Sequence, residues 1–244
     1  MGFFGDDLSA PRILNGLAST RFRHVEVHAS VESTQTMLVR EGGRGESDGR
    51  VVVADHQTAG RGRAGRGWLD VPGAMLMFSA LLRDVLPSDA ASIGLAAGVA
   101  VARAVGDRAR VKWPNDVRID GRKVCGILGE LAPAGDYVVI GIGVNVGHAE
   151  GELPDDLGAT SLRIEGISVR RDDLCIAVLR ELDALLGRRD WLDDYRALCE
   201  TIGSRVRVEL SDRTFEGTAT EVRNDGALVV DGNAVVAGDV VHVR

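Results

Sequence analysis

Cysteine is scarce: the 244 residues hold three, Cys125, Cys175 and Cys199, with no C-x-x-C spacing among them. That scarcity excludes a disulfide framework and a zinc ribbon, and a reducing, cytoplasmic setting is the expectation. Long apolar runs are missing too. The longest stretch of apolar residues and glycine, residues 93–102, stops at Arg103, far short of a bilayer span. The first ten residues have neither a basic head nor an apolar core, so no secretory signal is read. Myristoylation after Met1-Gly2 would need Ser or Thr where Asp6 stands. Aromatic residues make up only 4% and the net charge is -7. Phosphate backbones demand a basic surface, so nucleic acid is excluded as a general partner.

Lysine is the rarest charge. All but two of the 29 basic residues are arginine, and both lysines, Lys112 and Lys123, fall in one short stretch. A codon bias toward arginine accounts for the imbalance but not for the clustering. An ammonium is a compact point charge that reaches a reacting centre end-on, where the guanidinium fork is planar and wider. What is present, 45% hydrophobic and 27% charged residues, suits a soluble globular chain that buries a full core without staples.

Hydrophobic patterning predicts a strand at residues 24–29 and a helix from Ser33-Thr34-Gln35 through Arg40, capped by Ser33 or Thr34. A glycine-rich loop follows over residues 41–48. Strands are expected at 50–54 and 74–82, and a helix over 87–105 opened by Pro87 and Ser88. Short strands near 111–113, 117–119, 126–131 and 137–146 are divided by turn signals such as Asp120-Gly121. Helices follow at 171–186 and 191–200. Beyond Gly203 only short strands remain, near 206–210, 214–222, 227–230 and 240–243. The reading is α+β: a mixed-sheet domain over residues 1–202 and a small β-barrel over 203–244.

Three stretches carry polar chemistry. Gly60-Arg61-Gly62-Arg63-Ala64-Gly65-Arg66-Gly67-Trp68 satisfies G-x-G-x-x-G formally, but His56-Gln57-Thr58-Ala59 separates it from the preceding strand and Pro72 spoils a following helix. A dinucleotide fold is therefore disfavoured. Three arginines within six residues, on glycines that let backbone N–H groups approach, make an anion clamp. Trp68 could stack on a flat ring. In Lys112-Trp113-Pro114-Asn115-Asp116 the proline sets a turn that exposes Asn115 and Asp116. Asp116 could carry Mg²⁺, orient a lysine, or simply close an Asx-turn. In Gly141-Ile142-Gly143-Val144-Asn145 small residues leave room against a strand, with a β-bulge as the alternative. The histidines form no metal triad and no nucleophile system.

These segments, with Gly121-Arg122-Lys123-Val124-Cys125-Gly126-Ile127-Leu128, stand in the order and spacing of the biotin protein ligases, and residues 25–165 resemble that family. The resemblance implies a catalytic domain like that of class II aminoacyl-tRNA synthetases, followed by an SH3-like barrel. It implies ATP and biotin as substrates with Mg²⁺, biotinyl-5′-AMP as intermediate, and a lysine of a biotin carboxyl carrier domain as acceptor. By matching position, Ser33, Thr34, Gln35, Gln57, Arg61, Gly62, Arg63, Lys123 and Gly126 are expected on biotin. Arg61, Arg63 and Arg66 are expected on the phosphates, Trp68, Asn115 and Asn145 around the nucleotide, and Asp116 on the metal. Lys123, with Arg61 and Arg63, is expected to carry the catalysis.

Three departures stand out. Gln35 replaces the more usual Asn, Ala64 replaces a basic residue found in some members, and only about 24 residues precede the first strand, too few for a winged helix. A repressor role is accordingly not expected, and a monomer or weak dimer is. The rival from the same fold class is a lipoate or octanoate transferase; the arginine loop and Lys112-Trp113-Pro114-Asn115-Asp116 favour biotin. A non-catalytic nucleotide or RNA binder is opposed by the acidic charge and by a C-terminal segment whose only aromatic is Phe215.

Overall fold

The computed structural model describes residues 7–68, 70–83, 90–154, 158–188 and 190–243. Its first sheet has seven strands in the order β1-β2-β3-β7-β6-β5-β4. These are β1 (His24–His28), β2 (Arg50–Ala54), β3 (Met75–Arg83), β4 (Ala109–Lys112), β5 (Asp116–Ile119), β6 (Arg122–Leu131) and β7 (Tyr137–Asn145). Only β1 and β2 run parallel; every other neighbouring pair is antiparallel.

The sheet is covered on both faces, which explains why β3 reads as a continuous apolar run. On one face Leu76, Phe78, Ala80 and Leu82 of β3 and Val138, Ile140, Ile142 and Val144 of β7 join the main core. Helices α3 (Ala90–Val105) and α4 (Arg171–Leu186) supply the rest, with Val99, Leu174, Val178 and Leu182 fully or almost fully buried. On the opposite face α2 (Thr34–Gly42) lays Leu38 onto Val52, Leu81, Tyr137 and Val139. It covers only the lower part. Above it, Met77 and Ser79 of β3 and Gly141 and Gly143 of β7 line a trough. The alternation Ile140-Gly141-Ile142-Gly143 thus sends its bulk to the core and leaves the other face without side chains of its own. The register of β7 with both neighbours is regular there, so the bulge alternative is discarded.

The second sheet, order β11-β10-β9-β8-β12, is antiparallel and follows α5 (Trp191–Leu198). Its strands are β8 (Arg205–Glu209), β9 (Thr214–Val222), β10 (Leu228–Val230), β11 (Asn233–Val235) and β12 (Asp239–His242). Val206, Val208, Ala219 and Val240 merge with the main core, so the two sheets share one apolar interior. Trp113, almost fully buried, joins them: its indole Nε1 donates to Gly226 O at 3.0 Å and its backbone N–H to Thr201 Oγ1 at 3.1 Å.

The α+β reading holds, with local corrections. A helix not anticipated, α1 (Ala10–Gly16), precedes β1; Ser9 caps it, a proline sits in its first turn, and Ile13 is fully buried. Helix α2 runs to Gly42, so the loop expected from residue 41 starts later. Strand β11 escaped notice because three residues carry no readable alternation. Helix α5 ends at Leu198, and β4 starts at Ala109 and stops before Trp113. The expected helix start at Pro87 and Ser88 lies outside the described residues.

Candidate active site

The trough opens into a cavity of about 390 Å³, lined by every residue that the sequence nominated. Such a volume suits a small-molecule ligand. Gly126 and Gly143 are direct partners across β6 and β7, and Trp68 lies against both. A Cβ at Gly126 would stand 2.5 Å from Trp68 Cζ3, and one at Gly143 2.7 Å from Cε2. The indole therefore rests on bare backbone, a position no larger residue would permit.

One end of the cavity is a buried polar chain. The N-terminus of α2 brings in Thr34, whose backbone N–H donates to Gln57 Oε1 at 2.8 Å. Thr34 Oγ1 lies 3.2 Å from that oxygen and 2.8 Å from Ser79 Oγ. Ser79 donates to Gln35 Oε1 at 3.2 Å, and Gln35 Nε2 donates to Val139 O at 3.1 Å. Ser33 caps α2 through Thr36 N at 3.4 Å. Asp70 accepts from Gln57 N and lies 2.8 Å from His56 Nδ1, tying the far end of the arginine loop to its start.

The other end is cationic. Between Val117 and Arg118 the β5–β6 register slips by one residue, so Arg118 faces Lys123 rather than Val124. This bulge turns Lys123 onto the face that carries Asp116. Lys123 Nζ lies 2.6 Å from Asp116 Oδ1 and 5.4 Å from the centroid of the Trp68 ring. Its backbone is bonded on both sides, N–H to Gly158 O at 2.9 Å and C=O to Thr160 N at 2.8 Å. Asp116 thus orients a lysine, and Asn115 holds the turn by donating to Ile127 O at 3.1 Å. Lys112 also lines the cavity; burial pulls its pKa below the ordinary lysine value, Asp116 opposing this and Arg118 and Lys123 adding to it. Asn145 donates to Thr160 O at 2.9 Å. Burial pushes the Cys125 thiol up, so it is no nucleophile despite its place beside Gly126.

The arginine loop is a small hairpin over the mouth. Gly62 N donates to Arg66 O at 2.7 Å and Trp68 N to Gly60 O at 3.0 Å, with Ala64 and Gly65 at positive φ at the tip. Each arginine meets a carboxylate. Arg61 grips Glu130 with two bonds of 3.0 and 2.8 Å. Arg63 donates to Gly238 O at 2.8 Å and Asp239 Oδ1 at 3.3 Å, and Arg66 to the same Asp239 oxygen at 3.1 Å. Exposed pairs of this kind are worth about 0.2–1 kcal/mol, so a phosphate can displace them.

Sequence reading missed Ser79, Met77, Glu130 and Asp239. Ser79 was signalled only as the one hydroxyl inside the otherwise apolar run of β3. Asp239 carries no local signal, since it reaches the mouth from a different sheet.

Residues 27–146 match the model of the biotin/lipoate A/B protein ligase family, and residues 201–243 that of the biotin protein ligase C-terminal domain. The chain is 40% identical to the biotin–[acetyl-CoA-carboxylase] ligase of Mycobacterium tuberculosis over 93% of this chain and 92% of that protein. It is 32% identical to the bifunctional ligase/repressor BirA of Escherichia coli, over 87% of this chain and 70% of that one. The solved Aquifex aeolicus biotin protein ligase in complex with biotin and ATP superposes with a TM-score of 0.76 at 27% identity, covering 91% of this chain and all of that one. With a glycine-floored cavity, a polar head pocket and a lysine–arginine end, and with relatives matched along nearly its whole length, the chain belongs to the biotin protein ligase family.

Proposed function

We infer that this chain is an ATP-dependent ligase that activates biotin as biotinyl-5′-AMP and passes the biotinyl group to a lysine of a biotin carboxyl carrier domain. The observation that carries the reading is that the polar pocket at Thr34 and Gln57 and the cationic end at Lys123 open into one cavity. Biotin has that polarity: a cyclic urea at one end, a carboxylate at the other.

In the first half-reaction a biotin carboxylate oxygen attacks the α-phosphorus of ATP, and pyrophosphate leaves with the electron pair of the broken P–O bond. Two anions must meet, so the barrier is lowered mainly by charge neutralisation and alignment. Lys123, aimed by Asp116, bridges the carboxylate and α-phosphate oxygens. Arg61 and Arg63 exchange Glu130 and Asp239 for phosphate oxygens, Arg66 assists, and the hairpin that carries them excludes water from the mixed anhydride. Trp68, Asn115 and Asn145 surround the nucleotide, while Ser33, Gly62 and Gly126 shape the space for the acyl chain. In the second half-reaction the carrier lysine amine attacks the acyl carbon, losing a proton, and AMP leaves.

Mg²⁺ supplies charge compensation to the polyphosphate. The described residues contain no cluster of three His, Cys, Asp or Glu that would cage a cation. Asp116, which lines the cavity and gives one oxygen to Lys123, is the carboxylate that would hold the ion through its other oxygen.

The large hydrophobic side chains exposed among the described residues, Leu14, Leu131, Val236 and Val241, give no reason to expect an obligate oligomer, which supports a monomer or weak dimer. All three cysteines are free and buried, and no described helix is long and apolar enough to cross a membrane. The free thiols suit a cytoplasmic setting. The lipoate alternative is not favoured, because residues 201–243 match a biotin-ligase domain. The decisive experiment incubates the protein with ATP, biotin and a carrier domain and weighs the carrier. A mass gain of one biotinyl group is expected; no gain, with no biotin-dependent pyrophosphate, overturns the reading.

A further inference from the structure

The polar chain beneath the head pocket has a direction, and the direction is set at its buried end. Val139 O is a carbonyl and can only accept, so the amide nitrogen of Gln35 must face it. That fixes the amide: Gln35 Oε1 faces Ser79, and the Ser79 hydroxyl donates to it. Ser79 then has only lone pairs left for Thr34. The Thr34 proton goes to Ser79 Oγ at 2.8 Å or to Gln57 Oε1 at 3.2 Å; in either case it is used inside the protein. Gln57 is fixed in the same way, since its oxygen accepts the Thr34 backbone N–H. Among the described residues its Nε2 has only a thioether partner, Met77 Sδ at 3.2 Å.

We propose that Gln35 and Ser79 are positioning residues that fix the hydrogen-bond polarity of this pocket, leaving Thr34 Oγ1 as acceptor only beside Gln57 Nε2 as donor. This rests on the biotin reading and deepens it. A cyclic urea offers the complement, an N–H beside a C=O. A dithiolane or a plain acyl chain offers neither and strands both protein groups. Sites built to bond a polar substrate group reject an analogue lacking it by about 10⁴–10⁵-fold. Gln35 therefore acts on the ligand through Ser79 and Thr34. Ser79, Thr34 and Gln35 are 0%, 3% and 4% exposed, so water cannot substitute for a missing partner. Gly141 completes the device: a Cβ there would stand 2.6 Å from Gln35 Oε1, so a larger residue would push the amide away from Ser79.

The test is steady-state kinetics of biotin-dependent pyrophosphate release, with biotin and ATP varied separately and lipoate as competitor. Ser79→Ala is expected to raise KM for biotin about 10- to 100-fold, to spare KM for ATP, and to narrow the preference for biotin over lipoate. Ser79→Thr, which restores the hydroxyl, is expected to recover most of the loss. Gln35→Glu supplies a second signature. Its protonated acid donates to Val139 O and accepts from Ser79 as the amide does, whereas the carboxylate only accepts. Its KM for biotin, relative to the unaltered protein, is therefore expected to rise with pH. A Ser79→Ala protein with unchanged KM for biotin overturns the proposal, as does Gln35→Glu with an unaltered pH profile. If the unaltered protein releases no pyrophosphate with biotin, the functional reading itself fails, a separate outcome.

Discussion

Lys123 Nζ lies 2.6 Å from Asp116 Oδ1, although an unbroken β5–β6 ladder would turn the two side chains to opposite faces of the sheet. Regular pairing onward from Val117 and Cys125 would set Lys123 opposite Ile119, which is fully buried on the core side. The extra residue, Val124, moves Lys123 to the ligand side.

Lys123→Ala should abolish adenylate formation while leaving the fold intact, because its side chain is about 29% exposed and adds little to the core. A loss of at least about 10²-fold in biotin-dependent pyrophosphate release is expected. Asp116→Asn should cost less, about 10-fold, by loosening the lysine's aim. Normal pyrophosphate release by Lys123→Ala would refute this assignment.

Arg63 and Arg66 converge on Asp239 across the two sheets. Arg63→Ala should mainly shorten retention of biotinyl-AMP, measured as its dissociation rate in rapid-mixing experiments, about 10-fold faster. Asp239→Ala should instead raise hydrogen exchange at residues 61–67 in the ligand-free protein, since only the latch is lost. Unchanged exchange would show that the hairpin holds itself.

Gly143→Ala brings a methyl group to within 2.7–2.9 Å of three Trp68 ring atoms. The indole must lift from the sheet into water. A red shift of the tryptophan emission is expected, with weaker biotin binding in calorimetry. Emission matching that of the unaltered protein would mean that Trp68 does not rest there.

His242 reports the seam between the two sheets. Burial, with Lys112 and Arg118 nearby, pushes its pKa down to about 4 from 6.5. As pH falls below 6.5 the unfolded chain gains a proton that the fold refuses, so stability declines down to about pH 4 and then levels. His242 is only half-buried, so solvent screening limits this to about 1 kcal/mol, or about 2–4 °C in Tm. Melting curves at pH 7.5 and 4.5 should show a smaller drop for His242→Gln than for the unaltered protein. Equal drops would place the pH sensitivity elsewhere.

Most elements were legible because their signals are local. Val51-Val52-Val53 is a buried strand at any reading, and Asp120-Gly121 takes the positive φ pair that a tight hairpin demands. The site was legible for a different reason: its glycines and arginines lie in short runs whose spacing is itself the chemistry. Illegible were contacts closed over long separations, such as Ser79 with Gln35 and Asp239 with Arg63. Helix α1 could have been found from Ser9 and the proline that follows it.

Sequence alone determined which groups the protein owns: arginines interleaved with glycines in one loop, two lysines among 29 basic residues, and glycines alternating with isoleucines. Those follow from side-chain chemistry and from the two-residue period of a strand. Tertiary structure decided where they point. A one-residue slip in β6 set the face of Lys123, and a carbonyl in β7 set the proton order reaching Thr34. The second sheet supplied the carboxylate that holds the loop. Each depends on which backbone atoms lie opposite one another, and that is fixed only when distant strands pair.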